Sequence, residues 1–344
     1  MIDTSLQPGD TMTLPARPFA RVARSVAGYG VATALMLVSP LFVFAPASLF
    51  HCAMRNGRVA AWWAGFVSLV LAGLYFLQAG SSAGTDANTV YTSFVLIALA
   101  IAVPSMIVVP LVDRREKFGT VLATAVVASS VGVLLTELIM RAVSYSPYAV
   151  QLAEQTTFAM KKADEYRPLV SQSFLGRIGL WLLTHSPQVV AAGIVLNFAV
   201  FFVLSLMMYG RLSVWRAFAA TRVADSETRR TYLFRNFALP EWMLFVFVIG
   251  GLTPLLTGPW QKVAANVLAV MVCLYMLQGV AVFRATLVRA GAGFIGGAFA
   301  LLLLAMLCLT GIGLLPLMLT GLFDSFFDFR HLKRKDDSHE SHTD

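Results

Sequence analysis

Two carboxylates near the C-terminal end are the residues of this chain whose types and spacing come closest to a reactive site. Asp324 and Asp328 are four residues apart and are followed by Arg330. On a helix both carboxylates lie on one face, and at a membrane surface such a pair could hold Mg²⁺. The alternative is an aromatic-anchored interfacial helix with a solvated face, on which one aspartate pairs with Arg330 or Lys333. Asp324, Asp328 and Arg330 then form a candidate cytoplasmic interface.

Amide side chains inside apolar segments form a second group of candidates, because water is scarce at membrane depth and each amide needs a partner. Asn197 lies near the middle of one apolar segment, and Asn266 and Gln278 lie on another. They indicate either ligand contacts from a central cavity or hydrogen bonds between helices. Asn266 and Gln278 are twelve residues apart, which is about 120° around a helix, so they do not share a face.

An acidic and a basic residue, Glu137 and Arg141, are four residues apart near the end of a third apolar segment. Ionisable groups at membrane depth are costly and are usually paired. A glutamate that precedes an arginine at this spacing pairs well on a helix. The pattern therefore predicts a structural ion pair, and the alternative is that both residues bind a ligand in a cavity.

Patterns for catalysis and for cofactors are absent from the sequence or weak. His51 and His185 flank apolar segments, and the remaining histidines lie close to the C-terminus, so no Ser–His–Asp, Cys–His or zinc spacing results. No Walker motif is present. Glycines between 291 and 296 fit G-x-G-x-x-G, but no strand precedes them, so Gly293 and Gly297 are interpreted as a helix-packing face. We expect a protein that is not an enzyme and has no cofactor or metal.

The elements that must position these residues are membrane helices. Hydrophobic residues make up 58% of the chain and charged residues 13%, whereas soluble domains are about a quarter charged. Apolar blocks of about 20 residues match the thickness of a bilayer. The chain is therefore an all-α, polytopic transmembrane bundle with about eight apolar segments. The clearest predicted spans are Ala60–Gln78, Val90–Val112, Thr120–Met140, Val189–Tyr209, Trp242–Leu256 and Val263–Phe283.

Two longer apolar regions flank these spans, and both contain residues that interrupt helices. Ser25–Cys52 contains Pro40, which would bend it into a helical hairpin, and Gly293–Leu322 is broken by glycines and by Pro316. Either region could be broken or re-entrant. The sequence Leu-Pro-Glu-Trp at 239–242 predicts a helix start, with proline in the first turn and tryptophan at the headgroup level.

Basic residues are concentrated in alternate linkers, which predicts that these linkers are cytoplasmic. The basic linker 212–239 belongs to this set, whereas the mixed segment 144–187 falls outside the membrane and is interpreted as one or two amphipathic helices on its surface. Residues 1–24 are predicted to be a cytoplasmic polar tail and 331–344 a disordered polar tail, on either side of a transmembrane domain at 25–330. The net charge of +8 follows this topology rather than a nucleic-acid surface.

Three stretches in the second half of the chain together resemble the YybS-like family of predicted bacterial membrane proteins. They are Phe237–Trp242 (Phe-Ala-Leu-Pro-Glu-Trp), Asn266–Val282 and Gly321–Arg330. The resemblance implies a multi-pass protein of the bacterial cytoplasmic membrane, distantly similar to the substrate-binding subunits of energy-coupling-factor vitamin transporters. Such subunits bind a small molecule near the outer face and dock to a coupling subunit and paired ATPases. No binding residue of that group has a counterpart in this sequence.

The function expected from these features is that of a non-enzymatic subunit that binds or transports a small molecule. Its expected partners are the lipid bilayer and, by the resemblance, a coupling subunit with ATPases. The alternative is a scaffold or assembly protein of the cell envelope that acts through contacts between helices. An intramembrane enzyme that uses Asp324 and Asp328 is a third and more distant hypothesis.

Overall fold

The computed structural model describes residues 19–82, 87–114, 116–143, 191–209, 232–291, 293–309 and 313–330. Within these ranges the regular secondary structure is helical throughout, which confirms the predicted all-α class. The predicted outer segment 144–187 and the tail 331–344 lie outside the described residues. So do residues 1–18 of the predicted N-terminal tail and residues 212–231 of the predicted basic linker.

The helices follow one another along the chain with short connections. The long α-helices of the first half are α1 (Phe19–Leu37), α2 (Ala45–Asn56), α3 (Arg58–Ser82), α4 (Ala87–Ile97), α5 (Val103–Asp113) and α6 (Phe118–Ala142). Those of the second half are α7 (Ala191–Tyr209), α8 (Trp242–Gly251), α9 (Pro259–Arg289), α10 (Phe294–Leu309) and α11 (Leu314–Phe327). Short 3₁₀ turns occupy Pro40–Phe44, Phe234–Asn236 and Thr253–Leu255.

Among the described residues, five helices are long and apolar enough to cross a membrane, judged by length and composition. They are Arg58–Ala79, Val90–Asp113, Phe118–Ala142, Ala191–Tyr209 and Pro259–Arg289. The predicted span Trp242–Leu256 is shorter than expected: α8 ends at Gly251, and a 3₁₀ turn that contains Pro254 follows it. Since proline disfavours the α conformation of the residue before it, the helix stops early. The predicted span Val263–Phe283, in contrast, extends at both ends to the 31 residues of α9.

The first apolar region folds as the predicted hairpin. Ser39 caps the 3₁₀ turn that begins at Pro40, and its hydroxyl accepts a hydrogen bond from the Leu41 amide at 3.2 Å. Asn56 Nδ2 at the end of α2 donates to Ser25 Oγ near the start of α1, at 2.8 Å. The hairpin therefore places the start of α1 beside the end of α2.

A π turn at Ala98–Ala102 joins α4 and α5 into one continuous rod. Its cause is Pro104, which has no amide hydrogen and whose ring would collide with the carbonyl four residues earlier in an α-helix. The Val103 amide consequently donates to Ala98 O, five residues back. The Leu99 carbonyl lies against Gly132 of α6, where a Cβ would overlap it.

Helices α9 and α11 cross through two glycines. A Cβ at Gly279 would overlap the Leu317 carbonyl, and a Cβ at Gly321 would overlap the Tyr275 carbonyl. Small residues allow such close approach in membrane bundles. The packing face expected at Gly293 and Gly297 is not found among the described residues. Gly293 faces open space, and only the side chain of Arg284 lies against Gly297.

Basic helix ends meet at one end of the bundle, which we call the basic end. It is defined by Arg114, Lys117, Arg235, Arg289 and Arg330. Tyr232 Oη donates to the Glu116 carbonyl at 3.4 Å, and Arg330 reaches the Arg235 carbonyl at 2.8 Å. The opposite end holds contacts such as that of Asn266 Oδ1 with the Ala192 amide, at 2.9 Å. These contacts place the linker after α5, the segment before α8 and the C-terminal turn at one end of the bundle. That this end is cytoplasmic, and that basic and uncharged linkers alternate along the whole chain, stay predictions.

The glycine crossing yields a prediction about stability. Replacing Gly321 by alanine should destabilise the protein by about 1–3 kcal/mol, because the added methyl group must push α11 away from α9. The measurement is SDS-induced unfolding in micelles, followed by circular dichroism. Gly296→Ala is the matched control, since a Cβ there meets nothing within 4 Å. A loss of stability for Gly321→Ala no larger than that of the control would contradict the crossing.

Candidate functional site

Gln278 lies on α9, at the level where the helix passes the segment before α8. Its side chain is completely buried. Oε1 accepts a hydrogen bond from the Leu239 amide at 3.0 Å, and Nε2 donates to Asp324 Oδ2 at 3.1 Å and to Ser325 Oγ at 3.2 Å. One amide therefore connects α9, α11 and the backbone before α8. Of the two interpretations of Gln278, hydrogen bonding between helices is the one observed.

Asp324 forms a buried ion pair with Arg330. Arg330 Nη2 and Nε both donate to the carboxylate, with Nε at 3.3 Å from Oδ1 and 3.1 Å from Oδ2. The side chains of both residues are 2% exposed. The predicted pairing of an aspartate with Arg330 is confirmed, but the predicted solvated face is wrong for Asp324, because its carboxylate points into the protein.

The pair forms because the chain reverses direction after α11. Asp328 ends the helix in the left-handed conformation with φ 43°, and its amide donates to the Asp324 carbonyl at 3.0 Å. A left-handed residue at this position is a common way to end a helix, and aspartate tolerates it better than most residues. The reversal brings Arg330 back to Asp324, six residues earlier. Asp328 thus shapes the turn.

The guanidinium of Arg330 also holds the segment that precedes α8. Nη1 donates to the carbonyl oxygens of Arg235 and Phe237, each at 2.8 Å. These backbone groups lie in a stretch without regular α-helix, where they have no partner in a helical ladder. We call Gln278, Asp324 and Arg330, with the backbone groups that they bind, the polar network. It joins the segment before α8, α9, α11 and the C-terminal turn.

Contacts between aromatic rings hold the segment before α8 against the first turn of α6. The centroid of the Phe118 ring lies 5.2 Å from that of Phe237 and 6.0 Å from that of Tyr232. Gly119 leaves room for the Ala238 carbonyl, which a Cβ would overlap. The predicted helix start at Leu239–Trp242 is confirmed, with α8 beginning at Trp242. Residues 232–241 are therefore fixed between α6 and the polar network.

The magnesium hypothesis finds no support in this geometry. The carboxylate oxygens of Asp324 already accept hydrogen bonds from Arg330 and Gln278, and Asp328 is the cap of the helix. Among the described residues no group of three or more His, Cys, Asp or Glu side chains could hold a metal ion. The arrangement neutralises the buried charge of Asp324 and gives hydrogen-bond partners to the backbone groups of the segment before α8.

The other predicted residues lie apart from the polar network. Asn266 Oδ1 accepts from the Ala192 amide in the first turn of α7, and its Nδ2 donates to the Lys262 carbonyl at 2.8 Å. Arg141 pairs with Glu137, with Nη2 at 2.9 Å from Oε1, as the ion-pair interpretation predicted. Asn197 is an exposed residue of α7. The described structure does not bring Asn197, Asn266, Glu137 and Gln278 together.

The backbone contacts of the polar network are what sequence reasoning missed. The carbonyls of Arg235 and Phe237 and the amide of Leu239 have no side-chain signature. One signal was present, however: the three stretches that carry the family resemblance are those that meet here. Leu239 belongs to the first stretch, Gln278 to the second, and Asp324 and Arg330 to the third.

Comparison with known proteins gives one family. A family model with the description "Predicted membrane protein (DUF2232)" matches residues 31–325. The matched range includes Gln278 and Asp324 and ends five residues before Arg330. No curated protein and no solved structure matches the chain.

The buried ion pair should be strongly coupled energetically. Asp324→Leu and Arg330→Met should each destabilise the protein by about 3–5 kcal/mol, because each leaves one buried charge without its partner. The double variant should lose much less than the sum of the two, as measured by SDS-induced unfolding. The exposed pair Glu137–Arg141 is the control, and its removal should change stability by about 0–1 kcal/mol. Additive effects at Asp324 and Arg330 would contradict the network.

Proposed function

We propose that this chain, which belongs to the DUF2232 family of predicted membrane proteins, is a non-enzymatic, multi-pass membrane subunit that binds a partner protein at its basic end. In a bacterial cytoplasmic membrane the basic end faces the cytoplasm, since basic linkers are retained there. The observation that carries the proposal is the polar network.

The polar network supports a docking surface rather than a small-molecule site. Its own donors and acceptors are used internally, so no part of the buried Gln278 amide or of the Asp324 carboxylate is left for a ligand. What the network does is hold residues 232–241, which have little regular structure, in one conformation. Loops that a rigid scaffold positions are the usual carriers of binding function. Arg235 and Glu241 are exposed on this fixed segment.

The presence of a buried ion pair supports the same conclusion. Such pairs contribute little net stability compared with apolar side chains of similar volume, and one use of them is to specify a single arrangement. Here the arrangement that is specified is that of the surface formed by the segment before α8 and the C-terminal turn. Because this surface is already ordered, a partner binds it without the entropic cost of ordering it first.

Two identities of the partner follow from the sequence. The resemblance to energy-coupling-factor subunits supports a coupling subunit with ATPases, in which case the chain binds or transports a small molecule and energy comes from the partner. The alternative is a scaffold of the cell envelope, with envelope-building proteins as partners. Asn197 remains the candidate ligand residue for transport, because Gln278, Asn266 and Glu137 are occupied by contacts within the chain.

A photo-crosslinking experiment tests the docking surface. A photoreactive amino acid replaces Arg235 in the full chain, and cross-linked proteins from the native membrane are identified by mass spectrometry. We expect one dominant partner at this position, and no enrichment of that partner from the matched position Lys262, which is exposed at the opposite end. Equal cross-linking of the same proteins from both positions would refute docking at the basic end.

The identity of the cross-linked partner then separates the two functions. A coupling subunit with paired ATPases, together with a small molecule retained after purification, supports transport. Stabilisation by that molecule should be lost in Asn197→Leu. Recovery of envelope-building proteins without a retained molecule supports the scaffold.

A further inference from the structure

The exposed face of α7 carries one amide side chain, that of Asn197. On a helix with 3.6 residues per turn, Gly193 and Leu204 lie within about 40° of Asn197, and all three residues are exposed. The buried residues of α7 lie about 100° to 180° away from Asn197 around the helix, and they include Val195, Phe198, Phe202 and Leu206. Asn197 therefore points away from the bundle, at the centre of the exposed face of α7.

The side chain of Asn197 has no hydrogen-bond partner within the described ranges of the chain. The amides of Asn266 and Gln278, in contrast, are bonded to backbone groups of other segments. An unpaired amide in hydrocarbon is costly, because the bilayer core offers neither donors nor acceptors. Asn197 therefore requires a partner that the described chain does not supply.

The level of Asn197 in the membrane follows from the contact between α7 and α9. Asn266 bonds an amide in the first turn of α7, five residues before Asn197, and Trp260, which suits the headgroup level, is 70% exposed six residues before Asn266. Both helices run toward the basic end, where the rings of Tyr209 and Tyr232 are 5.8 Å apart. At 1.5 Å per residue, Asn197 lies about 16 Å from the level of Trp260. This is close to the middle of a hydrocarbon core about 30 Å thick.

The exposed residues of α7 follow the spacing of a seam between two helices. Val200 and Leu204 are 42% and 43% exposed, and a Cβ added at Gly193 meets nothing within 4 Å. A small residue in a seam lets two backbones approach, and an asparagine at one seam position specifies the register and the number of chains. Successive seam residues are separated by four, three and four positions, as in a coiled coil: Gly193, Asn197, Val200 and Leu204.

We propose that α7 pairs in parallel with α7 of a second copy of this chain, and that the two Asn197 side chains bond each other in this homodimer. Two copies inserted in the same orientation are related by an axis along the membrane normal, so residues next to the axis lie opposite their own counterparts. An amide has both donors and an acceptor, so it is complementary to a second amide. Lipid chains offer neither group. Small-molecule sites are concave, whereas Asn197 lies at the centre of an exposed helix face.

This interface goes beyond the docking surface at the basic end and uses none of the residues of the polar network. A homodimer and a partner protein at the basic end are therefore compatible. The interface competes only with a ligand contact of Asn197, and the oligomeric state of the protein distinguishes the two.

Cysteine cross-linking of the full chain in its native membrane tests the geometry. Leu204→Cys should form a disulfide-linked dimer under a mild oxidant, because the two positions face each other across the seam. Val131→Cys, 48% exposed near the middle of α6, is the matched control and should stay monomeric, as should the wild type with its three native cysteines. Equal cross-linking from the two positions reports random collision and overturns the proposal.

Energy transfer between labelled copies in phosphatidylcholine vesicles tests the role of the amide. Asn197→Leu should lower the association constant of the dimer about tenfold, which is the effect of losing one hydrogen bond between membrane helices. Asn197→Gln keeps the amide and should retain most of the association. An unchanged constant in Asn197→Leu overturns the proposal. So does a monomeric wild type, and a small molecule that this monomer retains and that Asn197→Leu loses would make the amide a ligand contact instead.

Discussion

The burial of one ion pair in an apolar bundle is the constraint on which the arrangement of the basic end depends. Asp324 and Arg330 are removed from solvent, so each needs partners for its remaining donors and acceptors. Gln278 supplies one, and two backbone carbonyls before α8 supply the others. Because these partners come from separate segments, satisfying one buried charge fixes α9, α11, the C-terminal turn and residues 232–241 relative to one another. The ring of Phe118 packs against that of Phe237, and this contact fixes α6 relative to the same segments.

The polar network depends on the close crossing of α9 and α11 at Gly279 and Gly321. Gly279 follows Gln278 directly, and Gly321 precedes Asp324 by three residues, which is close to one helical turn. The backbones of α9 and α11 therefore touch next to the point where the amide must reach the carboxylate. A larger residue at either glycine would move the helices apart and lengthen the hydrogen bond from Gln278 Nε2, which is 3.1 Å. Because Gly279 and Gly321 have no side chains, the two helices approach closely enough for the neighbouring Gln278 and Asp324 side chains to form their hydrogen bond.

The sequence predicted the helices well and their contacts less well, for physical reasons that individual residues show. Apolar length and Pro40 were enough to place most spans and the first hairpin, because both act locally. Asp324 was expected on a solvated face, since it stands among phenylalanines that resemble an interfacial anchor. The structure has Phe323, Phe326 and Phe327 outward and Asp324 inward, because in a membrane the apolar side chains face lipid and the polar ones must find partners within the protein. Gly293 and Gly297 show that spacing alone does not determine a contact. The spacing permits close packing of helix backbones, but among the described residues it is the side chain of Arg284 that lies over Gly297.

The polar contacts at the basic end bear on where the protein acts. At the opposite end, the described contacts include that of the Asn266 amide on α9 with the Ala192 backbone of α7. At the basic end, one guanidinium, one carboxylate and one amide join four segments, with no titratable or amide group of the network exposed. A surface held in this way has little conformational freedom left to lose, so a partner that fits it binds without first ordering it. Helix-to-helix adhesion alone does not require residues 232–241 to be fixed, because they lie outside α6, α8 and α9. Their fixation supports the proposal that this segment is the part of the molecule that another protein contacts.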